Sequence, residues 1–163
     1  MALQSALANR PGVLAAARGL SRFGEHSLGW LAVSLLGAVR QPQRSRAWLL
    51  AGAGALTAHA AAVMIKRLVR RPRPHHPAVA VNVGTPSRLS FPSAHATSTT
   101  AAAILLGRVT GVPLPAIVVP PMAMSRIVLG VHYPSDVAAG AVVGAAVAAG
   151  AIRLDRWSKE RAR

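Results

Sequence analysis

The sequence predicts an all-α protein embedded in a membrane: a polytopic helical bundle of about five transmembrane helices with an amphipathic helix before them. Three observations predict it. Hydrophobic residues make up 52% of the chain but aromatics only 4%, so small side chains must do the packing, as between helices inside a bilayer. Arg and Lys gather in short runs that separate long charge-free apolar stretches. Residues 137–152 are a run of Ala, Val and Gly with no polar face, which a soluble bundle would require. At 163 residues the chain reads as one integral-membrane domain spanning 1–163.

The elements follow in order. Val13, Ala17, Leu20 and Phe23 recur at helical spacing while Arg18 and Arg22 share another face, the pattern of an amphipathic helix at a membrane surface or packed on the bundle. Arg10, Pro11 and Arg18 interrupt any apolar core of a cleavable signal. Residues 28–39 are a short apolar segment. Residues 47–65 carry one His and no formal charge, close to the roughly 20 residues needed to cross a bilayer. Residues 94–107 begin polar and become apolar. Residues 112–131 contain a Pro120-Pro121 pair expected to kink the helix. In residues 137–152, Gly140, Gly144 and Ala148 lie four apart, a stripe suited to close helix contact. The one long loop, 72–92, contains five prolines and is expected to cover the functional face.

A net charge of +15 raises the question of nucleic acid. The basic residues form no continuous stripe, and no nucleic-acid motif is present, so anionic lipid headgroups are the expected partner. With no Cys, disulfides and thiolate metal sites are excluded.

Three motifs carry chemistry. The second span ends at Lys66, with Arg73-Pro74 just beyond. The third opens at Pro92-Ser93-Ala94-His95. The fourth ends near Ser125-Arg126, followed by His132 and, at the start of the fifth, Asp136. Counting crossings puts all three on one side of the membrane. Lys66, Arg73 and Arg126 can surround a phosphate with charge and forked donors. Arg126 interrupts an apolar stretch, where a charge is costly and usually functional. Arg67, Arg70 and Arg71 are better read as snorkelling or lipid-facing residues. Ser93 suits an N-cap, and the first-turn N–H groups beside it suit an anion. Pro134 would start a helix with His132 just outside and Asp136 in its first turn. There a carboxylate can fix the imidazole tautomer and leave the other nitrogen free to attack. His59 is expected to be hydrogen-bonded within the bundle, and His75 and His76 to lie in a solvated loop.

These motifs resemble those of the type-2 phosphatidic acid phosphatase superfamily of membrane lipid phosphatases: K-x6-R-P, P-S-G-H and S-R-x5-H-x3-D. Lys66 to Pro74 fits the first and Ser125 to Asp136 the third. The second is matched at Pro92, Ser93 and His95, with Ala94 in place of Gly. The resemblance implies His132 as the nucleophile of a phosphohistidine intermediate, with Asp136 orienting it. It implies His95 as proton donor to the leaving alkoxide and then activator of water. Lys66, Arg73, Ser93, the backbone at Ala94, and Arg126 would hold the phosphate. It also implies no metal or other cofactor, in keeping with only four acidic residues: Glu25, Asp136, Asp155 and Glu160. Ala94 in place of Gly is expected to alter substrate fit rather than abolish activity.

The implied substrate is a phosphorylated lipid. General similarity to small, Ala/Arg-rich actinobacterial members points to a polyprenyl-linked phosphosugar, decaprenylphosphoryl-5-phosphoribose, losing its 5-phosphate. Phosphatidylglycerophosphate, phosphatidate and undecaprenyl diphosphate are alternatives of the same class, and a non-catalytic anionic-lipid scaffold or transporter is one of another. Setting the three clamps aside, seven basic residues fall on the motif side and nine on the other. That excess favours a cytoplasmic carboxyl terminus and a plasma-membrane site facing outward.

Overall fold

Each apolar stretch becomes one helix in the computed structural model, which describes residues 2–162. In chain order these are α1 (Ala2–Ala8), α2 (Val13–Gly24), α3 (Leu28–Arg40), α4 (Ser45–Val69), α5 (Ala94–Thr110), α6 (Leu114–Val128) and α7 (Pro134–Arg161), with short 3-10 turns at Glu25–Ser27 and Pro42–Arg44. No strand forms among the described residues, only an isolated bridge between Pro72 and Leu89. Helices α4 and α7 are long and apolar enough to cross a bilayer. Helices α3, α5 and α6 have 13, 17 and 15 residues, short of the usual span. By length alone, then, two helices qualify as spans where the sequence predicts five.

Helix α5 lies at the centre, packed against α4, α6 and α7. Its Ala, Ser and Thr residues allow burial almost all round. Thr97, Ser98 and Thr99 are fully enclosed, with Thr97 Oγ1 donating to Ser93 O at 2.8 Å and Trp30 Nε1 donating to Thr99 Oγ1 at 3.1 Å. Such bonds remove the penalty of buried hydroxyls. The predicted small-residue stripe is the contact of α7 with α5: a Cβ on Gly140 would stand 2.8 Å from Ser93 O, and one on Gly144 would collide with Thr97 O. Below, Trp30, Trp48, Leu105 and Leu106 form the largest apolar cluster.

Helix α6 continues through Pro120 and Pro121. One local expectation changes. Helix α2 buries Ala17, Ser21 and Gly24, while Phe23 is exposed on one side and meets Trp30 edge-on at 4.8 Å. The buried face is thus rotated from the predicted one, because small residues let α2 approach α6 closely. After α2 the chain breaks at His26 and Ser27, both with positive φ (48° and 63°), and α3 departs.

Candidate active site

The fold brings the three motifs to one end of the bundle, as the crossings predict. The end of α4, the start of α5, the end of α6 and the start of α7 converge there. Loop 72–92 folds back over them. Its two ends pair through Arg73 N–H to Arg88 O and Ser90 N–H to Arg71 O, and its middle is pinned by Asn82 N–H to Leu129 O and Gln4 Nε2 to Ala80 O. Val83, Ser87 and Leu89 line the central cavity, so the loop forms a wall of it.

His132 sits in the connection between α6 and α7, just after Gly130. That glycine has φ +71°, and a Cβ there would collide with Ala80 O, so only glycine makes the turn that presents His132. Asp136, in the first turn of α7, is fully buried. It accepts from Tyr133 N–H at 2.8 Å and faces His132 Nδ1 at 3.5 Å, a long contact and the nearest partner of that nitrogen. His132 Nε2 lies 3.3 Å from Arg73 Nη1. A guanidinium only donates, so Nε2 must hold the lone pair and Nδ1 the proton, directed at Asp136. Burial, reinforced by the charges of Arg73 and Lys66 and opposed by Asp136, pushes the imidazole down to about 4. It is therefore neutral at physiological pH, with its available lone pair on Nε2.

The three cations differ in what they leave free. Lys66 Nζ donates to the carbonyls of Leu89, Ser90 and Pro92 at 3.3, 2.9 and 2.7 Å. All three of its protons are thus committed, and it shapes the chain before Ser93 while contributing charge. Arg73 anchors Nε on Ser87 O and Nη1 on Val131 O, leaving Nη2 free. Arg126 is 2% exposed. Its Nε donates to Ser125 Oγ and its Nη1 to Ser21 Oγ, both at 3.1 Å, while Nη2 is buried with no partner. A buried donor left this way costs about 1–3 kcal/mol, more when charged, unless an anion meets it. Ser93 caps α5, its hydroxyl accepting from Ala96 N–H at 3.4 Å, and it lies behind the cavity wall. Ala94 lines the wall in front of it.

His95 Nε2 lies 2.9 Å from Ser21 O. A carbonyl only accepts, so this nitrogen carries a proton and Nδ1 is left for chemistry. Gly24 makes room: a Cβ there would be 2.7 Å from His95 Cδ2. Helix α2 therefore positions both His95 and Arg126, a role its amphipathic pattern does not disclose. Arg71 is a second residue the sequence leaves out. Its Nη1 donates to Asp136 Oδ1 at 3.0 Å and to Ser135 Oγ at 2.9 Å, and its guanidinium stacks 4.1 Å from the Tyr133 ring. The only signal was its place inside the first motif, where snorkelling explains an Arg equally well.

Lys66, Arg73, Ala94, His95, Arg126 and His132 share one cavity of about 610 Å³. His59 lines it too, and its Nδ1 is buried without a partner, so it is not satisfied within the bundle as expected. His75 and His76 are exposed, as the loop reading requires. No group of three or more His, Asp or Glu residues able to hold a metal ion occurs among the described residues. Chemically the arrangement offers an unprotonated nitrogen, a second imidazole and guanidinium donors around one cavity with a strong positive bias.

The PAP2 superfamily model matches residues 47–160, and the chain belongs to that superfamily. A solved structure, the transmembrane PAP2-type phosphatidylglycerolphosphate phosphatase from Bacillus subtilis, shares the fold with TM-score 0.74 at 19% identity, over 95% of this chain and 83% of that one. The match agrees with the all-helical, membrane-type architecture. Among curated relatives, a decaprenylphosphoryl-5-phosphoribose phosphatase from Mycobacterium tuberculosis is 71% identical over 149 residues, covering 91% of this chain and 84% of its own. The protein of the same description from Mycolicibacterium smegmatis is 70% identical over 140 residues, covering 86% and 78%.

Proposed function

We propose that this protein is a metal-independent membrane phosphatase that removes the 5-phosphate from decaprenylphosphoryl-5-phosphoribose, working as a single domain through a phosphohistidine. The observation that carries the reading is the pairing of a neutral His132, its lone pair on Nε2, with the unpartnered Nη2 of buried Arg126. A terminal phosphoryl group held between Arg126 and Arg73, with Lys66 adding charge, presents phosphorus to that lone pair. His132 Nε2 bonds to phosphorus as the bond to the ribose oxygen breaks. Asp136 stabilises the charge that develops on the ring. His95, protonated when the dianion binds, gives its Nδ1 proton to the leaving alkoxide. It then takes a proton from water, whose oxygen attacks phosphorus and releases His132 and inorganic phosphate.

The substrate assignment is supported by the roughly 70% identity to two proteins carrying that description. The five apolar helices α3 to α7 are assigned as the membrane crossings, with α2 packed beside them at the interface. The Arg and Lys excess opposite the site supports a carboxyl terminus in the cytoplasm and a site on the outer face of the plasma membrane.

Mass spectrometry of the reaction tests this. The expected products are inorganic phosphate and lipid-linked ribose, with none from a His132→Ala protein that still folds in detergent. Release of ribose 5-phosphate would show cleavage at the wrong bond. Much faster turnover of phosphatidylglycerophosphate or undecaprenyl diphosphate would overturn the substrate, and parental activity in His132→Ala would overturn the nucleophile.

A further inference from the structure

The cavity is larger than a phosphoryl group requires. At about 610 Å³ it falls in the range that encloses a whole small-molecule ligand, and its lining continues well past the His132 chemistry. Its inner part is buried and cationic through Lys66 and Arg126. Its rim carries Arg22 from α2 and Arg67 from α4, both exposed. No hydrogen bond or ion pair to another described residue engages either guanidinium.

Sequence position ties both to the chemistry. Arg22 follows Ser21, the residue that holds His95 and Arg126. Arg67 follows Lys66, which braces the chain before Ser93. The buried Nδ1 of His59, which lines the same cavity, has no partner, a polar atom that leaves a bond open for a ligand extending beyond the phosphate.

From this we propose that Arg22 and Arg67 form a second anion subsite, which binds the phosphodiester joining the sugar to the lipid while Arg73 and Arg126 hold the terminal phosphate. The inference rests on the substrate reading above. Two cation groups, one enclosed and one at the mouth, match a ligand with two separated phosphates and a hydroxylated unit between them. Free guanidinium forks suit a diester's two non-bridging oxygens. Placing the diester on the rim, away from His132, also explains why the monoester is the bond presented for cleavage. Binding energy from this remote anion can be used to position the reacting one.

Two synthetic probes test the subsite in uncharged detergent micelles, where no bulk anionic lipid competes. One is decyl-phosphoryl-ribose 5-phosphate; the other is decyl riboside 5-phosphate, identical but without the bridging phosphate. The parent protein is expected to prefer the first by at least tenfold in kcat/KM. In the Arg22→Gln/Arg67→Gln double variant that ratio should fall to near one, and added salt should lower it in the parent. Both positions are exposed and unpaired, so the variant should fold, and thermal unfolding checks this.

Equal kcat/KM on the two probes with the parent protein would overturn the subsite while leaving the phosphatase reading intact. A ratio unchanged in the double variant would equally overturn it. If the parent hydrolyses phosphatidate but neither riboside, the substrate reading fails and the subsite fails with it.

Discussion

Replacing Gly140 by Ala adds one methyl group at the contact between the two helices that carry the site. The new Cβ would stand 2.8 Å from Ser93 O, whereas carbon–oxygen contacts ordinarily begin near 3.3 Å. The carbonyl must therefore retreat by about 0.5 Å. It cannot do so alone. Ser93 O accepts from Thr97 N–H and Thr97 Oγ1 at 2.9 and 2.8 Å, and Ser93 N–H donates to Asp136 O at 2.9 Å. The first turn of α5, with Ala94 and His95, has to move relative to the first turn of α7, with Asp136.

A misplacement of about 1 Å can cost on the order of 100-fold in rate. Half that distance, scaled in free energy, predicts about a tenfold fall in kcat. Overpacking costs about 1–3 kcal/mol, and the Gly to Ala change in a helix returns about 0.5–1 kcal/mol, so the protein stays folded with slightly lower stability. The assay is kcat on a phosphorylated lipid in detergent, read beside thermal unfolding. Gly150→Ala is the matched control, because a Cβ at Gly150 meets nothing within 4 Å. Parental kcat in Gly140→Ala, or an equal loss in Gly150→Ala, would refute the claim that this contact sets the site's geometry.

Arg71→Gln removes the guanidinium beside Asp136 and should lower kcat by about tenfold, roughly 1.4 kcal/mol in barrier, with KM little changed and partial recovery in Arg71→Lys; an effect on KM alone would contradict a positioning role. Because burial pushes His132 down to about 4, it gains its proton only as pH falls toward that value. Corrected for the substrate's second ionisation near pH 6, kcat/KM should hold until then, and a corrected acid limb at 6.5, the ordinary imidazole value, would refute it. Activity should survive excess EDTA, since Lys66, Arg73 and Arg126 supply the positive charge that metal ions bring to other phosphatases, and vanadate should inhibit competitively. Loss with EDTA restored by Mg²⁺ would overturn that account.

What the sequence discloses and what it withholds divide along a physical line. Local patterns are legible. Ser93 caps α5, Pro134 opens α7, and the Gly140–Gly144–Ala148 spacing marks the face that meets α5. Each follows from the backbone needs of one helix, so a single segment suffices to see it. The convergence of the motifs is legible as well, because consecutive apolar segments alternate direction and return their ends to one face.

Residues that act through distant partners are not legible. Ser21 reaches Arg126 across 105 positions and Arg71 reaches Asp136 across 65. Nothing in the local sequence of either one distinguishes a brace from a surface residue. The same reason separates Lys66 from Arg126. Both read as clamps, yet three carbonyls of a loop more than twenty residues away consume every proton of the lysine, while the arginine keeps one nitrogen unmet. A positive charge can be read from a residue's type, but its free donors depend on the completed fold. For a phosphate site the free donors decide which cation the substrate touches. Substituting Arg126 should therefore impair phosphate binding directly. Substituting Lys66 should first disturb the chain that leads into Ser93 and His95.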